Sequence, residues 1–221
     1  MRYIIYGAGA IGGVIGGRLA QHGRDVVLIA RGEHLAAIQR AGLVLESPNE
    51  RVTLPIPAAA SPAEVEWREG DAVVLAMKTQ DTEAALNQLA LAAPPSTPVV
   101  CAQNGVENER LALRRFANVY AQAVMLPATH LEPGIVQANS GSAITGILDT
   151  GRYPSGSDAF AEQFTADLEA STFSSRPDPA VMRKKYAKLL MNLGNAYQAA
   201  CADVTNRDIP AEARAEAVAC Y

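Results

Sequence analysis

A glycine-rich turn near the start of the chain limits the folds open to this sequence. In "YIIYGAGAIGG", Gly7, Gly9 and Gly12 form a GxGxxG motif that follows a β-branched run and opens a helical pattern. There the first glycine allows a tight turn, the second lets backbone amides approach a pyrophosphate, and the third lets helix and strand pack closely. The motif predicts a dinucleotide-binding loop, although glycine-rich turns also occur in sheets that bind nothing. The residues expected to contact the dinucleotide are Gly7, Ala8, Gly9, Ala10, Ile11 and Gly12.

The pattern after this loop predicts an α/β fold with a Rossmann-type parallel sheet. Short β-branched runs alternate with helical patterns, which is typical of parallel strands covered by helices. We expect strands at 2–6, 25–30, 71–78, 98–103 and 118–125, and helices at 10–22, 33–40, 82–91 and 106–116. Residues 43–56 interrupt the alternation as two short strands around a Pro-Asn turn.

The segment from 134 to 170 is expected to complete the sheet. "GIVQAN" (134–139) and "SAITGIL" (142–148) are predicted to be added antiparallel strands. "DTGRYPSGS" (149–157) is rich in turn-forming residues, and 157–170 has the pattern of an amphipathic helix.

The last part of the chain changes to a helical pattern. Asp178 is a candidate N-cap, Pro179 suits the first helical position, and the pattern continues to about Ala202. A second helix is expected near Pro210, and its pattern is still helical where the sequence stops. We therefore expect an NADP-binding Rossmann domain over 1–176, and over 177–221 an interdomain helix with the start of a truncated, all-α C-terminal substrate or dimerisation domain.

Composition excludes several classes of partner. The net charge is −4, and "RKK" at 183–185 is the longest basic run, so the chain offers little attraction for nucleic acid or an anionic membrane. No apolar run is long enough to span a bilayer, and the three cysteines have no metal-ligand spacing, so no metal is expected. We expect a cytoplasmic protein whose partner is a small molecule.

The residue after the second predicted strand bears on cofactor choice. An acid about 20 residues beyond the glycine loop would favour NAD, because it binds the ribose hydroxyl. This sequence has "LIARGEH" there, which puts Arg31 at that position. An arginine can pair with a 2′-phosphate, so NADP is favoured over NAD, and a solvated surface arginine is the alternative.

Two further polar residues lie at the ends of predicted strands. Lys78 lies in "MKTQ" and Asn104 in "QNGVEN". Ligands of open parallel sheets bind beyond the carboxyl ends of the strands, so both residues are expected at the cofactor crevice. Each could also be an ordinary solvated strand end or turn.

The long predicted helix contains the stretch "KLLMNLGN", with polar residues three and four positions apart on one face. A polar stripe is usually the solvated side of an amphipathic helix, but asparagine is a mediocre helix former, so a stripe that lines a cleft explains it better. The stripe comprises Val181, Lys185, Lys188, Asn192, Asn195 and Ala199.

Taken in order, "GAGAIGG", "LIARGEHL", "MKTQ", "QNGVEN", "EPGIVQ" and "KLLMN" resemble the ketopantoate reductase (2-dehydropantoate 2-reductase) family over nearly the whole chain. The resemblance implies NADPH-dependent reduction of a 2-keto acid, with ketopantoate giving pantoate for pantothenate and coenzyme A synthesis, and it leaves a homodimer open. It assigns Gly7, Gly9 and Gly12 to the pyrophosphate, Arg31 and Lys78 to the NADPH phosphate and ribose, Asn104 to nicotinamide and substrate, Lys188 to proton donation and Asn192 to substrate.

Two departures qualify this resemblance. The family's second helix asparagine is expected at position 196, where this chain has Ala196; Asn195 next to it is a further substrate-binding candidate. Adjacent helical positions differ by about 100°, so Asn195 cannot simply reach the same point. The family's later serine and glutamate also have no counterpart, so we expect the sequence to be a fragment.

Two alternatives remain. One is a 3-hydroxyacid dehydrogenase of the 6-phosphogluconate-like superfamily, whose members also place a lysine and an asparagine four residues apart on the interdomain helix. The other is a non-catalytic NADP-binding regulatory protein, which Ala196 and the short chain would fit.

Overall fold

The computed structural model describes residues 1–140, 143–200 and 208–220, without the side chains of 196–200 and 208–210. Eleven strands and seven α-helices occur in the described ranges. The strands are β1 (Arg2–Tyr6), β2 (Asp25–Ile29), β3 (Leu43–Ser47), β4 (Glu50–Leu54), β5 (Ala58–Ala59), β6 (Asp71–Leu75), β7 (Val99–Cys101), β8 (Val119–Met125), β9 (Ala128–Thr129), β10 (Ile135–Ala138) and β11 (Ile147–Arg152). The helices are α1 (Ala10–Gln21), α2 (Gly32–Ala41), α3 (Thr79–Ala92), α4 (Asn108–Leu113), α5 (Ala159–Glu169), α6 (Val181–Ala200) and α7 (Asp208–Ala219).

The main sheet has seven strands in the order β11-β8-β7-β6-β1-β2-β5. All neighbouring pairs are parallel except β11 with β8, which is antiparallel. This confirms the predicted Rossmann-type sheet with an added antiparallel strand. The loops after β1, β2, β6 and β7 therefore leave the sheet at one edge, where ligands of such folds bind.

Apolar side chains cover both faces of the main sheet. On β1, Tyr3 and Ile5 belong to one buried cluster, whereas Ile4 belongs to a second cluster with Val73 and Leu75 of β6. This alternation follows from the two-residue period of a strand, and both faces must be apolar because helices cover both.

Helix α1 lies between the main sheet and a second sheet of order β4-β3-β10-β9. A Cβ at Gly16 would come within 2.9 Å of Ile5 and Leu28 side chains in the main sheet. A Cβ at Gly13 would lie 2.6 Å from Cγ1 of Val136 on β10. Glycines on two faces thus let α1 fit closely between two sheets.

The second sheet corrects one prediction. Residues 135–138 within the predicted range do form a strand, but β10 pairs in parallel with β3 and antiparallel with β9, so it is not an addition to the main sheet. Its parallel partner β3 is about 90 residues away in the sequence. A local pattern predicts that a segment is a strand, but it does not show which other strand the segment pairs with.

Strand β11 corrects another prediction. It begins at Ile147 and continues to Arg152, so residues 149–152 are strand, not turn, and position 142 lies outside the described residues. Gly151 looked like a turn signal, yet a Cβ there would lie 1.9 Å from the carbonyl oxygen of Asp178. The glycine is needed because another backbone segment approaches the strand at that point.

The ends of several elements also differ from prediction. β6 ends at Leu75 and α3 begins at Thr79, so Lys78 is the N-cap residue of a helix, not the end of a strand. Helix α6 begins at Val181, two residues after the predicted first helical position, but the Asp178 side chain accepts a hydrogen bond from the N–H of Ala180 at 2.8 Å, as predicted for an N-cap residue. Within the described ranges, no helix has the length and apolar character needed to cross a membrane.

Candidate active site

The glycine-rich loop connects the carboxyl end of β1 to α1. Gly7 has φ +99°, and a Cβ there would lie 2.8 Å from the backbone nitrogen of Met77. Both the backbone conformation and the lack of space therefore disfavour any residue with a side chain at this position. A Cβ at Gly12 would lie 2.2 Å from the carbonyl oxygen of Gly7. The first and third glycines thus keep the loop closely packed between β1, β6 and α1.

The middle of this loop is open and suited to an anion. Gly9 is the N-cap of α1 and has no side-chain cap, and a Cβ there would have no atom within 4 Å. The first turn of α1 contains no acidic residue. An uncapped helix N-terminus with free space before it fits a pyrophosphate, because the backbone N–H groups and the helix dipole both favour negative charge.

His34 connects the glycine loop to the second sheet. One ring nitrogen lies 2.7 Å from the carbonyl oxygen of Ala8, and the other accepts a hydrogen bond from the N–H of Gly134 at 2.9 Å. The ring of His130 lies 4.1 Å away, centroid to centroid. Burial lowers the pKa of His34, which keeps the ring neutral with one donating and one accepting nitrogen.

Arg31 and Lys78 lie at the same edge of the sheet, on either side of the loop that follows β1. Arg31 is the N-cap residue of α2, and its side chain is 79% exposed. Its guanidinium lies 3.7 Å from a carboxylate oxygen of Asp81 in the first turn of α3. Lys78 is exposed, so both cations are accessible to a phosphate, although for Arg31 the phosphate would compete with Asp81.

The cleft beside this edge brings together three of the predicted residues. Asn104 follows β7, and Lys188 and Asn192 lie one turn apart on α6; all three line a cleft of ≈ 220 Å³ that also borders β8. The ammonium of Lys188 donates to Oδ1 of Asn104 at 2.8 Å and to the carbonyl oxygen of Val124. Asn195 is exposed and does not line this cleft, and the side chain of Ala196 lies outside the described part of the chain.

The electrostatics of Lys188 suit proton transfer. Partial burial lowers its pKa, and the positive charge of Lys185 one turn earlier lowers it further. A lysine with a lowered pKa releases its proton more readily while remaining a cation that attracts a carboxylate.

Polar residues that sequence reasoning left without a role hold the Asn104 loop in place. The amide group of Gln103 donates to the carbonyl oxygen of Met77 at 2.8 Å and to Oγ1 of Thr82 at 2.7 Å. Asn108 accepts from the same threonine at 2.9 Å. Lys185, which was placed on the polar stripe, is 4% exposed and pairs with Glu109 of α4. Local patterns cannot reveal these contacts, because the partners are 21 to 76 residues apart.

The fold and this cleft define the chain as a Rossmann-type protein of the dinucleotide-binding class. A sequence model described as "Ketopantoate reductase PanE/ApbA" matches residues 3–149. The chain belongs to the ketopantoate reductase (PanE/ApbA) family, as the resemblance predicted. Ketopantoate reductases are oxidoreductases that act on a CH–OH group and use NADPH.

Individual relatives agree with this assignment. The 2-dehydropantoate 2-reductase of Pyrococcus horikoshii is 32% identical over 197 residues, which cover 87% of this chain and 61% of that protein. A PanE/ApbA family ketopantoate reductase from Ralstonia eutropha JMP134 superimposes with a TM-score of 0.77 at 29% identity, covering 87% of this chain and 61% of that one. D-mandelate dehydrogenase with NADH and anilino(oxo)acetate gives a TM-score of 0.77 at 27% identity, with the same coverage. The chain therefore spans about three-fifths of the length of these relatives.

Proposed function

We propose that this protein reduces a 2-keto acid with NADPH, and that its substrate is 2-dehydropantoate, which it converts to pantoate for pantothenate and coenzyme A synthesis. The observation that supports this most directly is the contact between Lys188 and Asn104 in a cleft at the loop that follows β7. Membership of the ketopantoate reductase family supports the choice of substrate.

The cofactor would lie along the carboxyl edge of the main sheet. Backbone N–H groups of residues 7–12 would hold the pyrophosphate, and Arg31 with Lys78 would bind the 2′-phosphate and ribose. Asn104 would lie between the nicotinamide and the substrate. The open space at Gly9 and the exposed cations are consistent with these roles.

The residues of the cleft would complete the reduction. When bound, the nicotinamide supplies a hydride to the keto carbon. Lys188 donates a proton from its ammonium nitrogen to the carbonyl oxygen, where negative charge develops. Asn192 orients the substrate without adding a competing charge. Asn195 lies outside the cleft lining, so a contact between its side chain and the substrate would require a substrate that extends beyond the cleft.

We propose the same division of the chain that the sequence predicts. Residues 1–176 would form the NADP-binding domain, and 177–221 would contain an interdomain helix and the start of a helical substrate or dimerisation domain. Helix α6 supports this division, because it supplies both Lys188 and Asn192 to a cleft whose other wall comes from the sheet.

The structural similarity to D-mandelate dehydrogenase favours a second candidate, an NADH-dependent enzyme for a bulkier 2-keto acid. Lysine as proton donor would serve either substrate, since both reactions leave negative charge on a carbonyl oxygen.

The test is a comparison of substrates. Loss of NADPH absorbance is followed with 2-dehydropantoate, pyruvate and the 2-keto acid of mandelate, and the same assays are repeated with NADH. Oxidation of 3-hydroxy acids is measured in the opposite direction of the reaction. The proposal predicts the highest kcat/KM for 2-dehydropantoate with NADPH. A preference for 3-hydroxy acids, or NADPH binding with no turnover of any 2-keto acid, would contradict it.

A further inference from the structure

A buried ion pair borders the cleft, because its lysine, Lys185, is one of the lining residues. Lys185 on α6 and Glu109 on α4 are in contact, and their side chains are 3% and 0% exposed. In the described part of the protein, the second carboxylate oxygen of Glu109 has no hydrogen-bond partner. Burial raises the pKa of Glu109, while the adjacent charge of Lys185 opposes that effect and stabilises the carboxylate.

Stability alone does not account for this pair. Moving two charges out of water costs several kcal/mol per ion, and apolar residues of the same volume usually stabilise a core as well or better. An incompletely bonded carboxylate adds to that cost. The pair therefore calls for a role other than packing.

The geometry connects the pair to the candidate active site. Besides Glu109, Lys185 donates to the carbonyl oxygen of Gln103 at 2.9 Å. Gln103 and Glu109 enclose the segment that contains Asn104, so one ammonium group holds both ends of that segment against α6. Lys188 lies one turn further along the same helix and contacts Asn104 from there.

Among the described residues, the charged side chains that line the cleft are those of Lys185 and Lys188. The positive charge next to Lys188 is that of Lys185 on the same helix, and Glu109 of α4 pairs with Lys185. Strand β8 contributes the uncharged carbonyl group of Val124, which accepts a hydrogen bond from Lys188. Lys184 on α6 pairs with Asp149 at 2.6 Å and with Asp178 at 2.8 Å. Other charged residues on elements packed against α6 are Arg152 on β11 and Asp208, Glu212, Arg214 and Glu216 on α7.

We propose that Lys185, held by Glu109, is a positioning residue that keeps the Asn104 loop against α6 and places a second positive charge next to Lys188. This inference rests on the proposed function, in which Lys188 is the proton donor. The hydrogen bonds of Lys185 to Gln103 and Glu109 hold Asn104 where Lys188 can contact it. The positive charge of Lys185 favours release of the Lys188 proton to the substrate oxygen.

Three variants separate this role from packing. Lys185→Met removes the charge and the two hydrogen bonds, and Lys185→Met with Glu109→Gln removes both charges, so that no unpaired carboxylate remains buried. Lys184→Met is the matched control, because it removes the same charge from the adjacent position, where the ammonium pairs with Asp149 and Asp178. Thermal unfolding identifies any variant that fails to fold.

The first readout does not require catalysis. Each protein is acetylated with trace acetic anhydride over a range of pH, and labelling of Lys188 is quantified by peptide mass spectrometry. Loss of the neighbouring charge raises the pKa of Lys188, so less free amine is present, and its labelling near pH 8 falls about threefold in both Lys185 variants. In the control, Lys188 labelling stays as in the wild type.

The second readout is the pH profile of kcat with 2-dehydropantoate and NADPH. In both Lys185 variants the basic limb moves to higher pH and kcat falls more than KM rises, because the proton donor is weaker and less well placed. Unchanged Lys188 labelling and an unchanged basic limb in the folded double variant would overturn the inference. Absence of turnover in the wild type would instead contradict the proposed function, and the labelling experiment would still test the link between Lys185 and Lys188.

Discussion

The ammonium of Lys188 lies 2.8 Å from Oδ1 of Asn104, although the two residues are 84 positions apart in the sequence. This contact joins α6 to the loop after β7 at the edge of the sheet where ligands of Rossmann-type folds bind. A lysine in this position can give a proton to a bound keto group, and the neighbouring amide fixes the direction of its ammonium.

Gly9 and Gly12 are expected to respond differently to substitution by alanine. Gly9→Ala leaves the fold intact, because its Cβ meets no atom within 4 Å, but it weakens NADPH binding by about tenfold or more, since the methyl group enters the pyrophosphate space. Gly12→Ala places a Cβ 2.2 Å from the carbonyl oxygen of Gly7 and lowers the unfolding free energy by more than about 2 kcal/mol. Thermal unfolding and NADPH titration of both variants measure the difference. Equal loss of stability in the two variants would show that the loop is packed differently.

Arg31→Ala is expected to weaken NADPH binding by roughly 10- to 100-fold, with a much smaller effect on NADH, because the guanidinium would pair with the 2′-phosphate that only NADPH has. Arg40→Ala is the matched control, since Arg40 is an exposed arginine near the other end of the same helix. Isothermal titration with both cofactors provides the four dissociation constants. An equal loss of affinity for NADPH and NADH would contradict the assignment of Arg31 to the phosphate.

Asp81→Asn is expected to have the opposite effect on cofactor preference. The carboxylate lies 3.7 Å from Arg31 and would compete with the 2′-phosphate for the guanidinium. The Arg31 side chain is largely exposed and that of Asp81 is 44% exposed, so solvent weakens the pair and the gain in NADPH affinity should be only a few-fold. The same titrations measure it, and tighter binding of NADH alone would be the contrary result.

His34 is expected to make the stability of the protein depend on pH. Burial lowers its pKa below the ordinary value of 6.5, and the nearby His130 adds a smaller effect in the same direction. Between the two values the unfolded chain binds more protons than the folded one, so the unfolding free energy decreases as the pH falls through 6.5 towards the lower value. Protonation would also turn the nitrogen that accepts from Gly134 into a donor.

His34→Gln is therefore expected to be less stable at neutral pH but to lose less stability on acidification. Urea unfolding at about pH 7.5 and about pH 5.5 measures both effects. A wild-type pH dependence in His34→Gln would place the titrating group elsewhere.

The sequence predicted the parts of the fold that depend on local patterns. The β-branched runs of β1, β2 and β6, the glycine loop and the helix α1 after it were all found within a few residues of their predicted positions. The strand pattern placed Asn104 at the cofactor crevice, and the helical spacing placed Lys188 and Asn192 on one face; the family resemblance implied that all three surround the substrate, and all three line one cleft.

Features that depend on distant contacts were missed for a physical reason. The partner of β10 and the approach of Asp178 to Gly151 depend on tertiary packing that no local pattern contains. The burial of Lys185 was also missed, because a lysine on a polar stripe normally faces solvent and its carboxylate partner is 76 residues away. The sequence signal that could have found it is the acidic residue at 109, five positions after Asn104 in a segment expected to border the same cleft.

The most direct test of the account is a measurement of NADPH binding and turnover in Lys188→Ala. We expect kcat for 2-dehydropantoate reduction to fall by about 10²- to 10⁴-fold, because the positioned proton donor is lost, while the NADPH dissociation constant changes less than about threefold. Lys184→Ala should keep both values near those of the wild type. Full turnover in Lys188→Ala, measured by loss of NADPH absorbance at saturating substrate, would contradict the assignment of Lys188 as the proton donor.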